Sequence, residues 1–413
     1  MVKASIITIG DELLIGQVID TNSVYISQAL NRIGIPVVRR VAVGDDSMEI
    51  TRALEEEQKH AGIIILTGGL GPTADDITKP CLCEYFGGKL VVNQEVLAAV
   101  KHRFEVMLKR PMGERNARQA EVPDVCEVIR NEVGTAPGMI FRKDSRIFIS
   151  LPGVPHEMMH MLDTFVIPML KDTNDKTIIH RTLLLMGIGE STVADMLRDF
   201  EKDLPASIKL AYLPDLIQLR LRLTAVNNSE PETDLHFSKM AALLEQNLVT
   251  LSDEKMEQVV FRLLEEQKST VAIAESCTGG YIEHLLTSLP GASKIFNGGV
   301  VSYSNEAKMK LLGVKSETLE RFGAVSEEVA AEMALGVMHT FNSDHSLAVS
   351  GIMGPGGGTE TKPVGAVCIA AAGEEGVFTR TIKLNYNRDK NIRATAIAAL
   401  NFLRQALAGQ LGG

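Results

Sequence analysis

Apolar and polar positions along this chain switch repeatedly between a period near two and a period near 3.6, and each switch marks an element boundary. Ala4 to Ile9 is an unbroken run of apolar and small residues that predicts a strand, closed by Gly10-Asp11-Glu12. Asn22 to Ile33 carries apolar residues at helical spacing, and Gly34 is a fitting stop. Pro36 to Val43 predicts a second strand, ending at Gly44-Asp45-Asp46. Ser47 to His60 predicts a helix with Ser47 as its N-cap, and Ile63 to Leu66 a short central strand. Strands alternating with helices in this way predict a parallel sheet covered on both faces. The α/β domain so defined spans residues 1–170.

Lys171 to Lys176 is polar and reads as a linker. Residues 175–250 then form a small α+β unit in the order β-α-β-β-α. Its strands are Thr177 to Met186, Ile208 to Leu213 and Leu216 to Ala225, its helices Ser191 to Phe200 and Leu235 to Leu248, with Asn227 to Thr233 as a loop. From 252 to 413 the pattern is α/β again. A helix from Lys255 to Glu266 precedes a strand from Ser269 to Ala274, and Tyr281 to Leu289 has helical spacing. Strands follow at Phe296 onward, Leu347 to Val349 and Val364 to Ala371. Helices are expected around Lys308, from Ser326 through His339, and from Arg388 to Leu407.

Composition narrows the function classes. The 413 residues are 45% hydrophobic and 23% charged, carry a formal net charge of −10 and include no tryptophan. That acidic balance disfavours generic binding to nucleic acid or to a membrane surface. There is no long apolar run and no signal-peptide pattern at the N-terminus, so a cytoplasmic location is expected. Five cysteines make no disulfide framework; Cys81 and Cys83 read as buried or capping thiols rather than a zinc site.

In the first domain, polar or glycine-rich turns fall where strands end, the usual place for a ligand on such a sheet. They are Gly10-Asp11-Glu12, Gly44-Asp45-Asp46 and the stretch Thr67-Gly68-Gly69-Leu70-Gly71-Pro72-Thr73-Ala74-Asp75-Asp76. Glycines bring backbone N–H groups onto an anion, and a helix starting at Thr73 would place Asp75 and Asp76 to hold a divalent metal against a pyrophosphate. Equally, Thr73 could cap that helix and both aspartates complement its dipole. His156-Glu157-Met158-Met159-His160 matches the H-E-x-x-H zinc pattern but follows Pro-Gly-Val-Pro and has no third ligand after it; it reads as an ordinary helix start. The middle unit has no Gly-x-x-Gly clamp, which disfavours RNA binding.

The last domain is organised around Ala274-Glu275-Ser276-Cys277-Thr278-Gly279-Gly280, a strand-to-helix turn. Free N–H groups there stabilise negative charge, and Gly279 and Gly280 let the backbone approach a ligand. Two further strand exits converge on polar groups: Tyr303 with Lys308, and the Ser350-Gly351-Ile352-Met353-Gly354-Pro355-Gly356-Gly357-Gly358 run. No histidine lies in these exits, so the base available to a nucleophilic hydroxyl is Lys308, with burial lowering its pKa and Tyr303 relaying or orienting the proton. Arg388 or Arg393 would pair with a phosphate.

These motifs carry a resemblance. The Thr8-Ile9-Gly10-Asp11-Glu12 start, Thr67 to Thr73 and Leu151-Pro152-Gly153-Val154-Pro155 resemble the molybdopterin-binding domain of the MoaB/MogA type, a three-layer α/β sandwich. The turn at Ser276, Gly298 to Asn305, Gly323-Ala324-Val325-Ser326, Ser350 to Gly358 and Lys362-Pro363-Val364-Gly365 resemble the nicotinamide-nucleotide amidase domain, and the fused order, with a KH-like middle domain, is that of the CinA family. The resemblance implies an amidase that converts nicotinamide mononucleotide to nicotinate mononucleotide and ammonia without a cofactor, in a chain that dimerises. It further implies, for some members, metal-dependent hydrolysis of ADP-ribose in the first domain. Ser276 then corresponds to the nucleophile, Tyr303 and Lys308 to its supporting residues, and Thr278, Gly279, Gly280, Ser350, Gly351, Gly354, Gly356 and an arginine to substrate contacts. Cys277 is the rival nucleophile. Ser350 stands where many members have Thr, and Met353 where Ala is usual. The alternative function is a non-catalytic nucleotide- or pterin-binding scaffold linked to competence.

Overall fold

The computed structural model describes residues 2–171 and 178–411; the expected linker lies outside them apart from Lys171, as does Thr177. Two compact units form. One runs from the N-terminus to Ile179 and includes Ala225–Glu230; the other comprises His180–Thr224 and the chain from Pro231 on.

The first unit holds β1 (Ala4–Ile9), β2 (Val37–Val43), β3 (Ile63–Thr67), β4 (Leu90–Val92), β5 (Glu121–Pro123), β6 (Glu127–Ile129), β7 (Gly138–Lys143) and β8 (Arg146–Leu151). Its main sheet has the order β2-β1-β3-β8-β7-β6, and β4 and β5 form a separate pair. Neighbouring side chains on β1 go to opposite faces. Ile6 packs with Ile26, Leu30 and Leu162, and Ile7 with Ile50, Leu54 and Phe148. The pairs β1–β2, β1–β3 and β3–β8 are parallel, but β7 and β6 run antiparallel, so the sheet is mixed rather than wholly parallel. The reversal comes at Asp144-Ser145, both with positive φ (50° and 62°), the backbone of a tight hairpin turn. Two helix starts also differ from expectation. Asp46, not Ser47, is the N-cap of Ser47–Glu57, its carboxylate accepting from the N–H groups of Met48 and Glu49. The helix after the glycine-rich stretch begins at Thr78, not Thr73.

The second unit contains two sheets. The smaller has the order β10-β11-β9-β12, from β9 (Ile178–Met186), β10 (Ile208–Asp215), β11 (Gln218–Val226) and β12 (Leu248–Thr250). The expected loop at 227–233 is already helical from Glu230, because Pro231 suits a first turn, and Leu248 opens β12 instead of ending the helix. The larger sheet, β14-β13-β15-β16-β17, uses β13 (Val271–Glu275), β14 (Phe296–Val301), β15 (His345–Gly351), β16 (Ala366–Gly373) and β17 (Gly376–Lys383). Its first three strands are mutually parallel, and β16 and β17 return antiparallel. Val271 and Ile273 face Leu400 and Leu403 of the helix Arg388–Leu407. On the other face Ala272, Ala274 and Ala348 are small enough for the helix Glu327–Phe341 to pack close through Ala330 and Ala334. Among the described residues no helix is long and apolar enough to cross a membrane.

Candidate active site

Because β13, β14 and β15 are parallel, their carboxyl ends open on one side, and Ser276 lies between them. Its N–H donates to Val349 O (3.1 Å), and Ser302 N–H donates to Glu275 O (2.8 Å), so both neighbouring exits are pinned to the turn. Gly279 and Gly280 have φ of 63° and 95°, a region a side chain would strain. That bend leaves the N–H groups of Cys277, Thr278 and Gly279 without an acceptor among the described residues.

Lys308 comes from the helix Asn305–Leu312, which Ser304 caps by accepting from the Ala307 N–H. Its side chain is only 1% exposed. The amine contacts Ser276 Oγ at 2.9 Å and donates to Ser302 O at 2.7 Å. Burial pushes the Lys308 pKa below the usual lysine range, and no carboxylate faces the amine to restore it. The Ser276 hydroxyl is thus held against a buried amine whose hold on its proton is weakened by burial. Cys277, next to it, is a different case: burial pushes its thiol up to about 12, which leaves it protonated and poorly nucleophilic. The hydroxyls of Thr278 and Ser302 are buried with no partner among the described residues, an arrangement that a bound ligand or water would complete.

At the rim, Tyr303 is exposed and its hydroxyl accepts from Arg388 Nη2 (3.1 Å), while Arg388 Nη1 donates to Gly354 O (2.7 Å). This corrects two expectations. Among the described residues Tyr303 hydrogen-bonds neither Lys308 nor Ser276, the contacts a relay between them would use; its hydroxyl holds Arg388 instead. Ser350 is buried and donates its hydroxyl to Ala324 O (2.6 Å), tying the end of β15 to the loop between the helices Ser316–Phe322 and Glu327–Phe341 rather than reaching outward. Gly351, Gly354 and Gly356 follow along the same loop, and a Cβ at Gly356 would meet open space. Of the two arginines only Arg388 reaches this loop; Arg393 is exposed further along the same helix.

The first domain has its own cavity, about 320 Å³, at the carboxyl ends of β1, β2, β3 and β8. Gly10, Glu12, Asp45, Gly68, Gly69, Gly71, Asp75 and Asp76 line it, whereas Asp11 and Thr73 are exposed outside its lining. Asp11 and Asp45 brace each other through their N–H groups and carboxylates. Burial, then the charges of Asp11, Glu12 and Asp75, raises the Asp45 pKa. Asp76 is already engaged: its carboxylate accepts from Gly71 N–H (2.7 Å), Thr73 N–H (2.8 Å) and the Thr73 hydroxyl. It shapes the glycine loop through these bonds. Among the described residues no three His, Cys, Asp or Glu side chains are grouped to hold a metal. The remaining carboxylates suit a hard cation held by one or two of them together with ligand phosphates. In the H-E-x-x-H stretch, Glu157 accepts from Asn131 Nδ2 (2.6 Å) and His160 pairs with Glu132 (3.4 Å), which bears out the ordinary helix start.

Comparison with known proteins matches three family models along the chain: the probable molybdopterin binding domain over residues 5–172, the damage-inducible protein CinA KH domain over 180–249, and the CinA C-terminal domain over 253–407. A CinA-like protein of Flavobacterium psychrophilum is 44% identical over 407 residues, 97% of each chain. A putative competence-damage inducible protein of Acetivibrio thermocellus is 42% identical over 98% of each chain. The chain belongs to the CinA family. A solved structure of the competence/damage inducible protein CihA from Agrobacterium tumefaciens aligns at 38% identity, over 39% of this chain and 99% of that one, with a TM-score of 0.36. Met353 is buried in the apolar core, where its sulfur accepts from the Thr395 hydroxyl (3.9 Å). Three residues that nothing in the sequence singles out brace the site's turn and loop: Glu275, Ser302 and Asn391, the last buried and donating to Met353 O (3.1 Å) and Tyr386 O (2.9 Å). Glu275 stood inside the quoted motif, but nothing in its spacing says where a carboxylate folds; Asn391 has no sequence signal at all.

Proposed function

We propose that the C-terminal domain is a nicotinamide-nucleotide amidase acting on nicotinamide mononucleotide. The observation that carries the chemistry is the 2.9 Å contact between Ser276 Oγ and a buried Lys308 amine. Neutral Lys308 takes the hydroxyl proton as Oγ attacks the carboxamide carbon. The oxyanion meets the free N–H groups of Cys277, Thr278 and Gly279. Lys308 passes the proton to the leaving nitrogen, the C–N bond breaks, ammonia departs and an ester on Ser276 remains. Water then loses a proton to Lys308 and attacks the ester; Ser276 recovers its proton, and nicotinate mononucleotide leaves. Arg388, held by Tyr303 and Gly354 O, is the group that pairs with the ligand phosphate in this reading. No cofactor enters these steps. The choice of substrate rests on the family resemblance.

For the first domain we keep a second reading, metal-dependent hydrolysis of ADP-ribose. Its support is the glycine-lined cavity with Glu12, Asp45 and Asp75 at its wall. Assay of the full-length protein on both nucleotides, with and without chelator, tests the pair. The proposal expects chelator-resistant release of ammonia together with nicotinate mononucleotide. A protein that binds the nucleotide but releases no ammonia is the scaffold instead.

A further inference from the structure

We infer that Glu275 is a positioning residue of the amidase site, its buried carboxylate holding the turn so that the N–H groups of Cys277, Thr278 and Gly279 face the reacting carbonyl. This rests on the amidase reading above. Glu275 is fully buried, although it ends a strand in an apolar core. Such a charge persists only where hydrogen bonds replace its water. Its Oε2 accepts from Gly280 N–H (3.0 Å) and its Oε1 from Glu283 N–H (2.8 Å).

The need for this comes from the sequence that follows. The helix Tyr281–Thr287 has glycine at its N-cap, with no side chain to satisfy the first-turn donors. Glu275 supplies that missing acceptor from five residues upstream. Its two bonds draw the distal end of the turn, Gly280 and Glu283, down onto β13, while the Ser276 N–H is fixed from the other side by Val349 O. The three amides between these anchors, those of Cys277, Thr278 and Gly279, have no acceptor among the described residues. One carboxylate therefore divides the donors: two are consumed, and three remain for the oxyanion.

Substitution Glu275→Gln keeps the shape but not the acceptors. The amide must set an NH₂ group against either the Gly280 or the Glu283 N–H, and two donors repel. The turn shifts, and loss of an aligned oxyanion donor costs on the order of 100-fold in kcat. The test measures kcat and KM for ammonia release from nicotinamide mononucleotide, a thermal melt, and calorimetric binding of the same nucleotide in a Ser276→Ala background. The expected result is a fall in kcat of about 10- to 100-fold, with KM and nucleotide affinity close to those of the parent and a melting temperature lowered by the loss of one buried acceptor. Unchanged kcat overturns the inference, as does a loss of kcat matched by weakened nucleotide binding. If Glu275→Gln does not fold, Glu275→Asp, too short to span both donors, is measured against the same expectations. A wild type that releases no ammonia overturns the amidase reading and this inference with it, whereas an active wild type with an equally active variant overturns this inference alone.

Discussion

Replacing Lys308 by methionine removes the base while keeping the volume of an almost completely buried side chain. General-base catalysis contributes about 100- to 10,000-fold, so Lys308→Met is expected to lower kcat by that factor, a barrier increase of about 3–5 kcal/mol. Stability should move the other way. The folded-state pKa of Lys308 is depressed, so the folded protein binds fewer protons than the unfolded chain between that value and the ordinary 10.5. Its stability contribution is complete above the ordinary value and is lost as pH falls through the folded one. At neutral pH the wild type thus bears the cost of the buried amine, and Lys308→Met should melt at the same temperature or higher. Two measurements decide it: ammonia release against pH, and thermal melts at neutral pH. Wild-type kcat should rise with pH through an apparent pKa below that of a free lysine. Lys308→Arg, which cannot shed its proton, should be as inactive as Lys308→Met. A methionine variant within a few-fold of wild-type kcat would refute the assignment, whatever its melting temperature.

Further expectations concern the rim, the turn and the first domain. Arg388→Ala should raise KM about tenfold or more, the worth of one charge-assisted hydrogen bond, with kcat little changed; a kcat effect alone would remove Arg388 from phosphate binding. Glu283 is raised to about 7, by burial first and then by Glu275. Its protonated form is the one the fold favours, so its contribution is present below 4.5 and lost as pH rises through 7. The group is partly exposed, so the loss should be no more than about 1 kcal/mol; Glu283→Gln should flatten melting temperature against pH over that window, and an unaltered slope would contradict the assignment. Asp76→Ala should destabilise the first domain by about 1–3 kcal/mol through the orphaned Gly71 and Thr73 amides. It should leave ammonia release untouched; a melt unchanged by this variant would contradict the bracing role.

The strands that carry each site were readable because β1, β3 and β13 are buried on both faces and appear as continuous apolar runs. The convergence of Ser276 with Lys308 was readable for the same reason, since consecutive parallel strands put their exits on one side. What failed was chemistry carried by folded-back side chains. Asp46 outcompeted Ser47 for a cap one residue earlier, and Asp76 turned onto its own loop, which moved the helix start to Thr78. Tyr303 and Ser350 kept their hydroxyls at the site but bonded to Arg388 and Ala324 instead of to the reacting groups. The hairpin between β7 and β8 was silent because Asp144-Ser145 contains no glycine, though both residues adopt positive φ. β17 was silent because it is an edge strand with little burial, so its alternation lacks an apolar face.

The account depends on which atom attacks the carboxamide. Ser276→Ala and Cys277→Ala, made separately in the full chain and assayed for ammonia release from nicotinamide mononucleotide, answer that directly. Burial holds the Cys277 thiol protonated, up to about 12, while the Ser276 hydroxyl rests 2.9 Å from the Lys308 amine. The predicted result is no measurable turnover for Ser276→Ala and near-normal turnover for Cys277→Ala; the reverse pattern would contradict the mechanism.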